Sequence, residues 1–342
     1  MGVRIKDIAD AANVSTATVS LVLNNKPGIS ESTRKKVLLV QRGLNRDLKK
    51  KKSFSETRIG TIRFLKIFRH GHVLSQDHDA FVLRYIEGAE KEARLNGFNL
   101  DINSIYLDEM ADVLKLIEES SANGLVVLAT ELSDKDMFFF EGLNIPVVYI
   151  DAILNHRRFD FVDMNNTAAV HLIIKYFIDH GHKKIGLIES PVEAKNLELR
   201  SLEYPKALER YGIPFNKDYV YSVDSTFDGA YKDMVKILRK KPSLPTAIFS
   251  TNDLMAYASI KALKEFGIRV PEDISIIGFD DLPICTIMEP PLTTMHVSQS
   301  QIGKMAVRLI INRIDETLTA PSIQISIGGE IVERKSVRHI DI

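Results

Sequence analysis

Hydrophobic positions along the chain follow two different rhythms. In the first forty residues they recur at helical spacing in short runs. Ile5, Ile8, Ala9 and Ala12 form one apolar stripe. Asn13-Val14 breaks it, Ser15 offers an N-cap, and a second helix follows with Val19, Val22 and Leu23 inward. Two short helices joined by so tight a turn cross steeply, and Ala9 and Ala12 are small enough to let them do so closely. The pattern predicts a helix-turn-helix with outward positions Thr16, Ala17, Thr18, Ser20, Leu21 and Asn24. Ser30 then caps a third helix, in which Val37, Leu38 and Val40 close a small core.

From Arg58 the rhythm changes to short apolar runs alternating with amphipathic helices. RIGTIRFLKIF, FNLDINSIY, GLVVLAT and IPVVYID read as strands, with helices over Ala80–Asn96, Asp108–Ser121 and Asp134–Gly142 between them. A second series follows: helices from Thr167, Leu197, Gly229 and Asp253 interleave with KIGLIES, YVYSV, TAIFS and ISIIGFD. Runs such as GLVVLA and ISIIGF are apolar throughout, so both faces are covered. Strand–helix alternation of this kind predicts parallel sheets with right-handed crossovers, hence an α/β body of two subdomains behind an all-α head.

Charge separates a DNA-binding head from an inert three-helix bundle. Residues 1–52 hold twelve Lys or Arg against four Asp or Glu, although the whole chain is neutral. A basic head on an acidic body is the footprint of a phosphate-binding module joined to something else. Between them, NRDLKKKKSFSETR reads as a linker whose lysines, Lys49 and Lys50 among them, attract phosphates.

The order I-x-D-I-A, V-S-x-x-T-V-S, V-L-N and I-S-x-x-T-R in residues 5–34 resembles the signature of the lactose-repressor (LacI/GalR) bacterial regulators. The resemblance extends over essentially the whole chain. It departs at Asn13, where glycine is usual, and at Leu21, where arginine is common. It implies a helix-turn-helix domain over 1–45, a hinge over 46–57 and a periplasmic-binding-protein-like core over 58–342. Within the core, subdomain 1 would hold about 58–158 and 291–320, and subdomain 2 about 159–290 and 321–342. It also implies a hinge helix that wedges a leucine into the minor groove; Ser53 stands at that position, with Leu48 and Phe54 nearby.

Open α/β sheets bind ligands beyond the carboxyl ends of their strands. Phe81, Arg200, Asn252 and Asp280 follow such ends and match the family's ligand positions, and Asn165 and Phe227 are further candidates. The family often has Asp in place of Asn165 and an aromatic in place of Ser225, for which Phe227 can substitute. Lys195 and Asn196 fall near another variable contact. An Arg fork, an amide and a carboxylate suit vicinal hydroxyls, so a small sugar or polyol effector is expected. Taken singly, each has a plainer role: a cap for Asn252, a turn for Asp280, core for Phe81, helix surface for Arg200.

His70, His72 and His78 share one loop, but no spacing supports a metal, and no cofactor motif, Walker loop or G-x-S-x-G occurs. Cys285 reads as core. No apolar run reaches membrane-span length and no signal peptide is evident, so a cytoplasmic location is expected. No leucine heptad follows Arg338, so no coiled-coil tetramer is expected. A pure solute receptor conflicts with the basic head. An α/β enzyme would have to cast Asp280, Arg200 and His78 as acid, clamp and base, with no spacing to support it. The reading is a homodimeric repressor of double-stranded operator DNA, controlled by a small molecule. A fragment starting at Thr57 should remain folded, dimeric and able to bind effector. Its solubility and sedimentation check this, and an insoluble fragment would show the boundary misplaced.

Overall fold

The computed structural model describes residues 5–24, 26, 28–30, 32–41, 60–74, 78–106, 117, 122–152, 159–318 and 321–340. The chain divides into two compact units. One contains the head, and the other contains the body from Thr61 onward apart from Ala93–Asn99.

In the head, α1 (Ile5–Ala12) and α2 (Thr16–Leu23) meet at Asn13, whose φ of 51° is one that asparagine tolerates. The Ser15 hydroxyl accepts the Thr18 N–H at 3.1 Å, and the Ser30 hydroxyl accepts the Thr33 N–H at 3.2 Å to open a third helix over 32–41. Ile8, Ala9, Ala12, Val19, Val22 and Val37 form the core, with Leu23 and Val40 packed against it. Ile5 and Leu38, both expected inside, are exposed. Leu38 follows Val37 by a rotation of about 100°, which carries it off the buried face that Val37 occupies. Arg34 donates from Nη2 to the Lys26 carbonyl at 2.7 Å and from Nη1 to the Val22 carbonyl at 3.4 Å, tying the third helix to the end of α2.

The body is built on two six-stranded sheets. The first holds β1 (Gly60–Phe68), β2 (Phe98–Tyr106), β3 (Ala122–Leu128), β4 (Val147–Ile150), β5 (Asp160–Met164) and β11 (Gln324–Ile327), in the order β11-β5-β4-β3-β1-β2. The second holds β6 (Ile185–Glu189), β7 (Val220–Ser222), β8 (Ala247–Ser250), β9 (Ser275–Asp280), β10 (Thr293–His296) and β12 (Glu330–Val332), in the order β12-β10-β9-β8-β6-β7. The two orders correspond strand for strand. The central pairings β1–β3, β3–β4, β6–β8 and β8–β9 are parallel; β10–β12 is antiparallel. Every residue of β5, β8 and β9 is buried, as expected for strands covered on both faces.

The chain crosses between the lobes three times: after β5, after β10 and between β11 and β12. This corrects the subdomain boundaries read from the sequence. β5, not foreseen, completes the first sheet; β10 joins the second and β11 the first, the reverse of what was expected. Hydrophobic rhythm does not say which sheet a strand completes; pairing does. The helix Gln299–Ile314 packs on β3, β4 and β5 in the first lobe, as foreseen. It also lies hard against the helix Asp79–Leu95: a Cβ on Gly88 would fall 1.9 Å from the Ser300 carbonyl oxygen, and one on Gly303 would fall 2.0 Å from that of Tyr85. The expected helix over Asp134–Gly142 is a single 3-10 turn, Asp136–Phe140, and the helix expected over Asp108–Ser121 lies outside the described residues apart from Ile117. No described helix is long and apolar enough to cross a membrane.

Gly181 ends the helix Asn166–Asp179 at φ 84°, with the Ile340 carbonyl oxygen 2.2 Å from where its Cβ would lie. The next residue, His182, is buried; Nε2 donates to the Arg338 carbonyl at 3.2 Å and Nδ1 lies 3.0 Å from the Thr246 hydroxyl. Burial lowers its pKa from 6.5 to about 4. Between those values the unfolded chain takes up a proton that the folded chain refuses, so this contribution is full above pH 6.5 and is lost as pH falls towards 4. The stability advantage of wild type over His182→Gln should therefore shrink by about 2 kcal/mol between pH 7 and pH 5, measured by urea unfolding of the full chain.

Candidate functional site

A cavity lies beyond the carboxyl ends of β3, β4, β8 and β9, between the two lobes of the body. Its apolar wall is Val73, Leu74, Phe81, Val82, Ala194 and Leu197; its polar groups are His78, Thr130, Asp151, Asn196, Arg200, Asn252 and Asp280. Asp151 follows β4 and Asp280 ends the corresponding strand β9, and both have positive φ, 62° and 113°. That backbone is costly for a residue with a side chain and tends to persist at binding sites.

Arg200 organises the polar side. It is buried on the helix Lys195–Arg210. Nε donates to Asn166 Oδ1 at 2.8 Å, and Nη1 donates to the Thr251 carbonyl at 2.7 Å and to Asp280 Oδ1 at 3.3 Å. The guanidinium stacks on the Phe279 ring with Cζ 3.5 Å from its centroid. Asn166 Nδ2 then donates to Asn196 Oδ1 at 2.8 Å, and Asn196 Nδ2 donates to Asp151 Oδ1 at 2.7 Å, so one polar chain runs from lobe to lobe. Asp151 also accepts from Tyr85 at 2.9 Å and from Thr130.

Burial pushes the carboxyl groups of Asp151, Asp163 and Asp280 above their ordinary range, Asp163 to about 8, while Arg200 pulls each of them back. A single guanidinium does not hold three buried carboxylates fully ionised, so the cluster retains protons near neutrality. On the cavity side, no described hydrogen bond uses Arg200 Nη2 or Asp280 Oδ2, and Asn252 Nδ2 is buried without a partner because Oδ1 is occupied in capping Met255 N at 2.8 Å. Two donors and an acceptor are thus without a described partner.

Of the residues expected from the sequence, Phe81, Arg200, Asn252 and Asp280 come together here. Asn165 and Phe227 do not. Asn165 caps the helix Asn166–Asp179, accepting from Ala168 N at 3.0 Å, and its neighbour Asn166 faces the network instead. Phe227 opens the helix Phe227–Arg239 and meets Lys261, whose Nζ lies 5.7 Å from its ring centroid. The Asn165 oxygen is turned onto its own helix, and Asn166, already helical, turns inward to Asn196 and Arg200. Asp151 and Thr130 were missed, although superposing the two halves of the sequence pairs VVYID with IIGFD and exposes the matching aspartate. Asn196, which the resemblance placed near a variable contact, lines the cavity, whereas Val73, Leu74 and the network role of Asn166 carried no such signal. Among the described residues no group of three or more acids, histidines or cysteines could hold a metal.

On the head, Thr16, Ala17, Leu21 and Asn24 are exposed and Thr18 and Ser20 half-buried, on a helix with no charged side chain. Asn24 Nδ2 turns back to the Ser20 carbonyl at 2.9 Å. Lys49 and Lys50 lie outside the described residues.

A helix-turn-helix head joined to a two-lobed body with an interlobe cavity defines the class of ligand-controlled DNA-binding regulators. Residues 4–45 match the model of bacterial regulatory proteins of the lacI family, and residues 174–337 match that of a periplasmic binding protein-like domain. The chain is 31% identical over 340 residues, 98% of each chain, to the HTH-type transcriptional repressor PurR of Pasteurella multocida. Its fold is similar to that of the transcriptional regulator CelR in complex with cellobiose (TM-score 0.73, 23% identity, covering 98% and 99% of the two chains). It is also similar to that of the lac repressor dimer bound to operator and the anti-inducer ONPF (TM-score 0.71, 22% identity, 99% and 100%). The chain belongs to the lacI family of bacterial regulatory proteins, and it is an allosterically regulated DNA-binding repressor, not an enzyme.

Leu21 has no hydrogen-bond donor where an arginine would make a bidentate contact to guanine. Its half-site should lack that guanine preference, and Leu21→Arg should create it, worth about 1–3 kcal/mol of discrimination. Operator selection from random DNA by both proteins checks this; identical selected sites would mean that Leu21 does not face the groove.

Proposed function

We propose that the cavity around Arg200 is the effector site and that the effector is a small sugar or related polyol. The observation that carries this reading is the pairing of unpartnered donors and acceptor, Arg200 Nη2, Asn252 Nδ2 and Asp280 Oδ2, with Phe81 in the wall of the same cavity. Adjacent hydroxyls both donate and accept, and the apolar face of a sugar ring suits an aromatic. The largely apolar wall of Val73, Leu74, Val82 and Leu197 favours a second reading, a flat heterocycle such as a purine base, held at one polar edge.

The repressor acts as a homodimer, one head per half-site, with Thr16, Ala17, Ser20 and Leu21 facing bases and Lys49 and Lys50 facing phosphates. Effector binding shifts the balance between cleft states and, through the dimer, the placing of the heads. It alters operator affinity only by its differential affinity for those states, typically about 1–3 kcal/mol.

Thermal stabilisation of the full chain by a panel of pentoses, hexoses, polyols and purine bases tests the site. A ligand at about 100 times its dissociation constant adds roughly 2.7 kcal/mol. Arg200→Lys, which loses the planar fork, and Asp280→Asn should each keep operator binding in mobility shifts while abolishing the response to the stabilising compound. A normal response in both variants would move the site elsewhere, and stabilisation by purines alone would replace the sugar reading with the second.

A further inference from the structure

Residues Arg69–Leu74 follow β1 as a turn without regular secondary structure; the Arg69 side chain ties its start to Ser133 and Asp136, and the Glu131 carboxylate gathers its amides. The Glu131 carboxylate accepts five backbone N–H groups: Oε2 takes those of Arg69, His70 and Gly71 at 3.0, 3.1 and 2.9 Å, and Oε1 takes those of Val73 and Leu74 at 3.0 and 2.9 Å. Gly71, at φ 68°, supplies the left-handed step that lets N–H groups from both sides converge. Glu131 is buried, yet its amide donors hold its pKa below the ordinary glutamate value. The same turn reaches the other lobe. His70 Nδ1 lies 3.2 Å from the His72 N–H and 3.3 Å from Glu131 Oε1, and Nε2 donates to the Glu193 carbonyl at 3.1 Å. His72 Nδ1 lies 3.6 Å from Asp224 Oδ2. The turn also supplies Val73 and Leu74 to the cavity wall, which Glu131 itself does not line.

We propose that Glu131 is a positioning residue that folds the Arg69–Leu74 turn into a latch, with His70 as its catch on the second lobe, and thereby sets how tightly the cleft closes. The consequence for effector release rests on the cavity being the effector site, but the latch itself acts in the empty protein. Unlike a general stabilising contact, it makes interlobe closure depend on a carboxylate that belongs to one lobe only.

The test needs no effector. Cys285 is buried, so cysteines introduced at the exposed positions Lys135 and Asp228, one on each lobe, can be labelled for single-molecule energy transfer in the full chain. Wild type is expected to be mostly closed. Glu131→Gln sets an amide NH₂ against backbone donors, and it should lower the closed-to-open ratio about tenfold. It should also speed hydrogen exchange at the amides of 69–74, with circular dichroism unchanged. His70→Ala should lower the ratio by a smaller factor without exposing those amides. Unchanged distance distributions in both variants, or a wild type that is wholly open, would overturn the proposal. Should Glu131→Gln fail to fold, His70→Ala decides alone, and an unchanged ratio there overturns it.

Discussion

A guanidinium buried among carboxylates is the constraint around which the body is arranged. Removing Arg200 from water is costly unless its donors are satisfied. Asn166, the Thr251 carbonyl and Asp280 take three of its hydrogen bonds, and the Phe279 ring takes one face. Each partner stands at the end of a strand or the start of a helix in the second lobe, which restricts how those elements meet. Arg200 Nη2 and Asp280 Oδ2 are left without a described partner in residues that line the cavity, so structural satisfaction and ligand capacity come from one group.

The network continues through side chains that belong to different lobes. Asn166 and Asn196 relay Arg200 to Asp151, which Tyr85 and Thr130 hold from the first lobe. A polar chain of this kind has discrete arrangements rather than a continuum, as a two-state regulator requires. Because the acids are crowded and desolvated, a ligand that adds a donor beside them changes their charge balance as well as the packing. The Glu131-held turn adds another tie between the lobes at a different place, made by the His70 and His72 side chains.

Much of this was legible beforehand. The head is local: caps at Ser15 and Ser30, a break at Asn13 and inward residues three or four apart lie within one short stretch, so spacing alone predicts the helices. The same holds for the strand–helix alternation and for Arg200, Asn252 and Asp280, which sit just past apolar strands. What failed was consistently non-local. Asn165 and Asn166 are alike in sequence, and only the helix start decides that the first caps and the second faces the network.

The sequence by itself determined the existence and type of most elements and the charge division between head and body, because these follow from periodicity, capping and composition; four residues of the cavity came from position after a strand together with the resemblance to the family. Tertiary structure alone decided where each late strand pairs, since β10 and β11 look equally suited to either sheet and differ only in the edge that receives them. It also decided the role of Glu131, which reads in the sequence as one acid among many. Its function comes from five amide hydrogens that converge only when a turn some sixty residues earlier folds over it.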